Sequence, residues 1–330
     1  MTLAGWLAIV MLVSLLAYAL LAGADFGAGV WDLVSRGARA PAHRRALAAA
    51  IGPVWEANHV WLIFLVVLLF TCFPSAFAEI SVTLFWPLHL ILVGIVLRGA
   101  SFVFRAYASE QAATQQRWGH VFGASSAVTP VLLGMCLAAV STGGMRADAA
   151  SPGASWMGAF ALSTGLLTLS LCAYLAAVYL ACEADDPVLQ DDFRRRAVWC
   201  WYGAGVLSVA TLLLARGEAH HLWAGLTALP GIALLGAGAA LAPVSYWALQ
   251  RRRFGWARVA GAAQVGALLI GWGVAQWPYV IYPDLTVEGS AAPASTLRLV
   301  AMMLPIGLAL LLPSLWFLFV VFKGRNPQQG

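Results

Sequence analysis

Four side chains that are costly among lipid tails stand inside the apolar runs of this chain: Asp25, Glu56, His59 and Arg98. Insertion scales put an ionised group at the centre of a membrane helix at about 2.5–3.5 kcal/mol, so such groups face protein or water rather than lipid. Glu56 and His59 belong to Gly52-Pro-Val-Trp-Glu-Ala-Asn-His-Val-Trp61, which opens an apolar run continuing to Phe70. Being three apart, they share a helix face. A carboxyl group held there can take up and release protons where bulk water does not reach, so the chemistry on offer is proton transfer. The blander alternative is a polar packing contact between helices. Asp25 lies in Gly23-Ala-Asp25-Phe-Gly27-Ala-Gly29, whose G-x-x-x-G spacing lets a second helix approach closely. It stands eleven residues before Arg36, and Glu56 eleven after Arg45. At 1.5 Å per residue both sit about 16 Å in from the same side. Two carboxylates at one level on antiparallel neighbours can share a proton or be separated by a cation. Arg98, seven residues before Arg105, reaches about 10 Å further in than that residue. It can pair with Asp25 or Glu56, or snorkel to the interface.

The elements that must position these groups follow from composition. Of 330 residues 62% are hydrophobic and only 10% charged, against roughly 25% charged in soluble domains. The chain is expected to be an all-α polytopic membrane protein, with residues 1–330 forming a single integral membrane domain. Nine spans are expected, at 5–33, 47–71, 80–104, 121–141, 156–182, 197–215, 224–248, 257–277 and 297–322, each near the ~20 residues that cross ~30 Å of hydrocarbon. The net charge of +5 does not point to nucleic acid, because the basic residues lie between apolar runs, where they set topology. Of the 19 Lys and Arg, only Arg146, Arg216 and Arg298 fall in even-numbered connections. The odd connections and the C-terminus should therefore be cytoplasmic and the N-terminus outside. No Lys or Arg precedes the first run, so it lacks a signal-peptide n-region and should remain as a span. The acidic cluster from Glu183 to Asp192 beside Arg194, Arg195 and Arg196 reads as a solvated, self-paired loop.

Five cysteines show no C-x-x-C spacing, and no metal site is expected from them. His59 and His89 stand mid-span on different helices and could together ligate one haem. Interhelical hydrogen bonds are the competing reading, and no second deep pair exists, since His120, His220 and His221 fall at span ends and His43 in a basic loop. Trp6, Trp31, Trp156, Trp223 and Trp277 suit an interfacial belt. Trp55 and Trp61 flank Glu56 too deeply for that and should line a packed or cofactor-facing surface.

Three stretches together carry a resemblance: Ala24-Asp25-Phe-Gly27-Ala-Gly29, Gly52-Pro-Val-Trp55-Glu56-Ala-Asn58-His59-Val-Trp61, and Leu97-Arg98-Gly-Ala-Ser-Phe102-Val-Phe-Arg105. With Trp277-Pro-Tyr-Val-Ile-Tyr-Pro283, they resemble subunit II of cytochrome bd-type quinol oxidases, cyanide-insensitive relatives included. The resemblance implies two four-helix bundles plus a peripheral helix, paired pseudo-symmetrically with a haem-bearing subunit I in a bacterial cytoplasmic membrane. It implies haem b and haem d on that partner and none on this chain. It also allows for a bound quinone here, and for a small single-span accessory subunit. Glu56 would lend a carboxylate to proton delivery for oxygen reduction by quinol, with Asp25 a structural or secondary relay group and Arg98 their electrostatic partner. Trp55, Asn58, His59 and Trp61 would support them. Some members carry an acid just before the Trp-Gly near the fourth span, where this chain has Arg117. A proton-coupled secondary transporter would place the same ionisable types in the membrane, though no pair of broken helices in corresponding halves is evident. A free-standing di-haem cytochrome is a third reading.

The charge asymmetry makes a direct prediction. Reporter fusions should place Met1 outside and Gly330 inside, and both ends reporting the same side would refute an odd number of spans.

Overall fold

Helix α1 (Leu3–Val34) begins where the Thr2 hydroxyl accepts the Gly5 amide at 3.1 Å. It then runs 32 residues without a proline, enough to cross the hydrocarbon and protrude. This computed structural model describes the backbone of residues 1–107, 112–146 and 151–323, and their side chains except 48–57, 106, 112, 152, 318, 319 and 321–323. The side chains of Trp55 and Glu56 lie outside the described residues, although their helix is described. That helix is α2 (Ala40–Cys72), followed by α3 (Pro74–Thr83), α4 (Phe85–Tyr107), α5 (Ala112–Thr142) and a 3-10 turn over Pro152–Met157. Helices α6 (Ala159–Glu183), α7 (Pro187–Glu218), α8 (His220–Thr227), α9 (Leu229–Gln250) and α10 (Phe254–Gln276) come next. A two-stranded antiparallel hairpin, β1 (Tyr279–Ile281) and β2 (Leu285–Thr286), leads into α11 (Ala294–Lys323).

Among the described residues eight helices are long and apolar enough to cross a membrane, or nine if one bent pair counts as a single span. The bent pair is the end of α2 with α3, turned by 115°. The expected third span, 80–104, therefore starts later, at Phe85. Hydropathy runs through the bend, but Pro74 cannot donate an amide to the preceding turn and suits the first position of a new helix. The Cys72 carbonyl freed there accepts the Ala292 amide at 2.8 Å, as backbone groups inside a membrane protein require. A similar break at Ala228, ahead of Pro230, divides the expected span 224–248 into α8 and α9.

Helix α1 packs on α2, α5 and α6, and α4 packs on α5. A second group forms from α6, α7, α9 and α10, joined to the first where α1 and α5 both meet α6. Among the described residues helix α11 packs chiefly on the edge made by α1 and α2 and leaves Leu310, Trp316 and Phe317 exposed. Two four-helix bundles and a peripheral helix result. The basic connections meet at one end, tied by Arg39–Asp192 at 3.3 Å, Arg252–Asp191 at 2.6 Å and Arg258–Glu183 at 3.5 Å. The acidic cluster is thus only partly self-paired: Asp191 pairs locally with Arg194 and Asp186 caps α7 by accepting the Val188 amide, while Glu183, Asp191 and Asp192 also reach across to neighbouring connections. At the other end α3, α8 and the hairpin lie with the N-terminus, where the Thr2 hydroxyl donates to Glu288.

Helices α1 and α6 approach closely. A Cβ on Gly27 would stand 2.0 Å from the Cys172 carbonyl oxygen and 2.7 Å from the Ala176 Cβ. A helix backbone cannot swing aside as a flexible side chain can, so Gly27→Ala should push α1 off α6. Overpacking of this kind costs about 1–3 kcal/mol. The thermal midpoint of the assembled, detergent-solubilised complex should fall by several degrees. Gly205→Ala on α7, where nothing lies within 4 Å of the added carbon, should leave it unchanged. Equal melting of the two variants would overturn the close-approach account.

Candidate functional site

Asp25 on α1 is buried to 1% exposure, and the residues around it come from three other helices: Asn58 (α2, 2%), Arg98 (α4, 3%) and Ser126 (α5, 0%). The Arg98 guanidinium grips the carboxylate in a two-pronged ion pair. Nη1 donates to Oδ2 at 2.6 Å, and Nη2 donates to Oδ1 and, at 3.1 Å, to the Asp25 main-chain carbonyl. Nε donates to Ser126 Oγ at 2.9 Å. From the other side Asn58 Nδ2 donates to Asp25 Oδ2 at 2.8 Å. The guanidinium carbon sits 5.0 Å from the ring centroids of both Phe26 and Phe122, a setting that suits a weakly hydrated planar cation. Among the described residues Arg98 pairs with Asp25, one of the two partners the sequence offers it; the side chain of Glu56, the other, lies outside them.

A second rung lies two helical turns away. Asp32 is seven residues beyond Asp25 and Arg105 seven beyond Arg98, so the same helix faces meet again about 10 Å along. Arg105 Nη1 reaches Asp32 Oδ2 at 2.5 Å, and Arg44 from the start of α2 reaches Oδ1 at 3.3 Å. Beyond this rung lies a cap joining α1, α2 and α7. His43 Nε2 meets Asp192 Oδ2 at 2.9 Å, while Arg196 Nη2 lies 3.3 Å from His43 Nδ1. Arginine can only donate, so Nδ1 accepts and the ring proton sits on Nε2, facing Asp192. Both terminal nitrogens of Arg196 also lie 3.4 Å from Ser35 Oγ. His43, expected in a basic loop, is instead buried on the first turn of α2 and tilted against Phe193. The helix starts at Ala40 rather than near 47 because Pro41 fits its first turn.

Of the remaining sequence candidates, the side chains of Trp55 and Glu56 lie outside the described residues. Trp61 is half-buried and packs on the cluster of Tyr18, Ala22, Phe26 and Cys172. His59 is half-buried on the same helix. His89 is exposed on α4, its Nδ1 turned back to the Phe85 carbonyl at 2.8 Å and its ring 3.9 Å from that of Phe85. Sequence reasoning missed Ser126, Asp32, Arg44, Arg105 and the His43 cap as interacting groups. The recurring separation of seven in both the acids and the arginines was the available signal. Among the described residues no three His, Cys, Asp or Glu side chains are grouped to hold a metal ion. An apolar cleft of about 400 Å³ opens between α1, α2, α10 and the hairpin, lined by Leu12, Leu15, Leu65, Trp272, Trp277 and Val280 among others.

Comparison with known proteins gives this arrangement its context. The family model described as cytochrome bd terminal oxidase subunit II matches residues 3–322. A Bacillus subtilis (strain 168) protein named putative cytochrome bd menaquinol oxidase subunit II is 27% identical over 334 aligned positions, covering 92% of this chain and 91% of its own. A second protein of that organism, named cytochrome bd ubiquinol oxidase subunit 2, is 31% identical over 119 residues, 35% of this chain and 33% of its own. The fold is that of a chain in the structure of bd oxidase from Geobacillus thermodenitrificans, with a TM-score of 0.83 at 24% identity, covering 99% of this chain and 100% of that one. Matched along nearly its whole length, with a polar core sealed between its helices, the chain belongs to the cytochrome bd terminal oxidase subunit II family.

Proposed function

We propose that the chain is the non-haem subunit of a quinol:oxygen oxidoreductase that builds proton-motive force. In this reading it braces a haem-bearing subunit I and supplies an intramembrane carboxylate for proton delivery. The observation that carries the proposal is the family match over residues 3–322. It also displaces the transporter and free-standing cytochrome readings. Haem b and haem d belong to the partner. The faces that α4 and α11 leave apolar and exposed, with Trp86, Val96, Leu310 and Trp316 among their residues, supply area on which a membrane partner can seat.

Oxygen reduction consumes protons, and these must cross a low-dielectric barrier on ionisable groups and water. Glu56 is the proposed relay, on α2 about 16 Å in from the basic end by helix rise. Asp25 is either its structural anchor or a second relay group, with Arg98 as the electrostatic partner. Asn58, His59, Trp55 and Trp61 belong to the same stretch of α2 and support it. The apolar cleft, lined chiefly by aliphatic and aromatic side chains, fits an aliphatic or isoprenoid chain. Two of its donors are already engaged, Gln276 Nε2 with the Val140 carbonyl at 3.1 Å and Trp272 Nε1 with Ser141 Oγ at 3.0 Å. A quinone held here would be bound chiefly by its tail. The basic end faces the cytoplasm of a bacterial cell and the N-terminus lies outside.

Two measurements test this reading. Glu56→Gln keeps side-chain shape and one acceptor, so the complex should assemble with its haems while quinol-driven oxygen uptake falls by about tenfold or more, within the usual range for loss of a proton-transfer group. Glu56→Asp should retain more turnover because a titrating group survives. A haem-replete Glu56→Gln complex at full turnover would remove Glu56 from the obligatory path. Separately, the isolated chain should show no b-type band in a reduced-minus-oxidised spectrum, whereas the complex should. A b-type band from the chain alone would place a haem site here.

A further inference from the structure

Asp25 and Glu56 are equivalent by depth in the sequence, yet the structure gives Asp25 a surrounding that a proton carrier would not have. Both carboxylate oxygens are occupied: Oδ1 by Arg98, Oδ2 by Arg98 and Asn58. Four N–H groups of Arg98 are spent on this carboxylate, its own main-chain carbonyl and Ser126. Among the described residues the donors bonded to Asp25 are a guanidinium, which does not deprotonate in proteins, and an amide, which does not titrate, with the Tyr18 hydroxyl and the Cys172 thiol also near it. Phe26 and Phe122 close two sides of the cation. A proton arriving at Asp25 would have to break these hydrogen bonds and take from Arg98 the counter-charge it is bonded to.

We propose that Asp25 serves as the fixed counter-anion of Arg98 and is not a stop on the proton route. On this assignment Asp25, Arg98, Asn58 and Ser126 form a neutral four-helix clamp, with Asn58 and Ser126 as positioning residues that lock each partner of the ion pair. This rests on the reading of the chain as an oxidase subunit and narrows its proton route: Arg98, whose charge is offset by Asp25, provides no net positive charge for Glu56. Asn58, bonded to Asp25, fixes the rotation of α2 about its axis in the turn that follows Glu56.

A paired-variant experiment on the assembled oxidase separates clamp from carrier. Asp25→Asn alone leaves Arg98 unpaired, and Arg98→Gln alone leaves Asp25 unpaired, so each should lower the yield of haem-replete complex by about tenfold or more. The double variant Asp25→Asn with Arg98→Gln removes both charges together and keeps side chains of similar shape. It should bring yield and turnover per haem back to within about threefold of wild type, the non-additivity expected of groups in direct contact. Restored yield with turnover still lost would overturn the proposal, because it would show that the titrating group itself was needed. A double variant as poorly assembled as the singles would also overturn it, since mutual neutralisation would not then be the role of the pair. Asn58→Ala and Ser126→Ala supply a second arm that keeps both charges. Each should lower thermal stability while leaving the pH profile of oxygen uptake unmoved. A displaced pH profile in Asn58→Ala would return Asp25 to the proton route. Glu56→Gln tests the oxidase proton-relay reading by itself, so a failure there is distinguishable from a failure of the clamp.

Discussion

The constraint on which the first bundle depends is that Asp25 and Arg98 must be buried together or not at all. Each ion taken from water carries an effective penalty of several kcal/mol, and only good geometry with every remaining hydrogen bond made offsets it. That requirement explains the neighbours. Helix α5 lies against both α1 and α4, and it is admitted at Gly29 and Gly94, where an added Cβ would meet Ser126 Oγ at 2.1 Å and Thr129 Oγ1 at 2.3 Å. Those approaches bring α1 and α4 near enough for Arg98 to span the gap. A side chain larger than hydrogen at either glycine would widen the gap that Arg98 must bridge. A buried ion pair is weak evidence for stability, but here it is a demanding specification of where four helices sit.

The two rungs also set register. Asp25 with Arg98 and Asp32 with Arg105 repeat at the same sequence separation of 73, which only parallel helices can do. Helix α2 runs the other way between them, reaching Asp32 with Arg44 near its start and Asp25 with Asn58 further along. The contribution at the deeper rung is a neutral amide, whereas the shallower rung, closer to water, takes a second arginine. The amide of Asn58 adds a hydrogen bond to Asp25 without bringing a charge of its own.

How much of this is readable from the chain alone follows from what each signal encodes. Hydropathy and charge lead to the helical class and the grouping of basic connections, because span length and the exclusion of charge from lipid act on sequence directly. Helix rise places Asp25, Glu56 and Arg98 at comparable depth. It cannot choose Arg98's partner, since that depends on rotation about the helix axes and on what stands between them. The breaks at Phe73 and Ala228 are invisible to hydropathy, which stays high across both, although Pro74 and Pro230 mark them. Ser126 escapes notice because a serine in an apolar run looks like a small packing residue until its hydroxyl meets a guanidinium. His43 is misplaced for the opposite reason: four arginines around it suggest a solvated loop, while Asp192 on a distant helix draws the segment inward.

The arginines at the basic end therefore act twice, at different moments. During insertion Arg39, Arg44, Arg105 and Arg196 count only as positive charges that resist crossing, and any lysine or arginine would do. After folding, the same residues are cross-links of fixed geometry, to Asp192, Asp32 and Ser35. The second duty demands more than the first. Arg196 must donate to Ser35 and to His43 Nδ1 while lying over Trp31 and Phe193, which suits a planar guanidinium and not a lysine ammonium. With one exception, Lys323 past the last span, every basic residue of the chain is arginine. Topology alone would not impose that choice; at Arg98, Arg105 and Arg196 the contacts with carboxylates, hydroxyls and aromatic faces supply a reason for it.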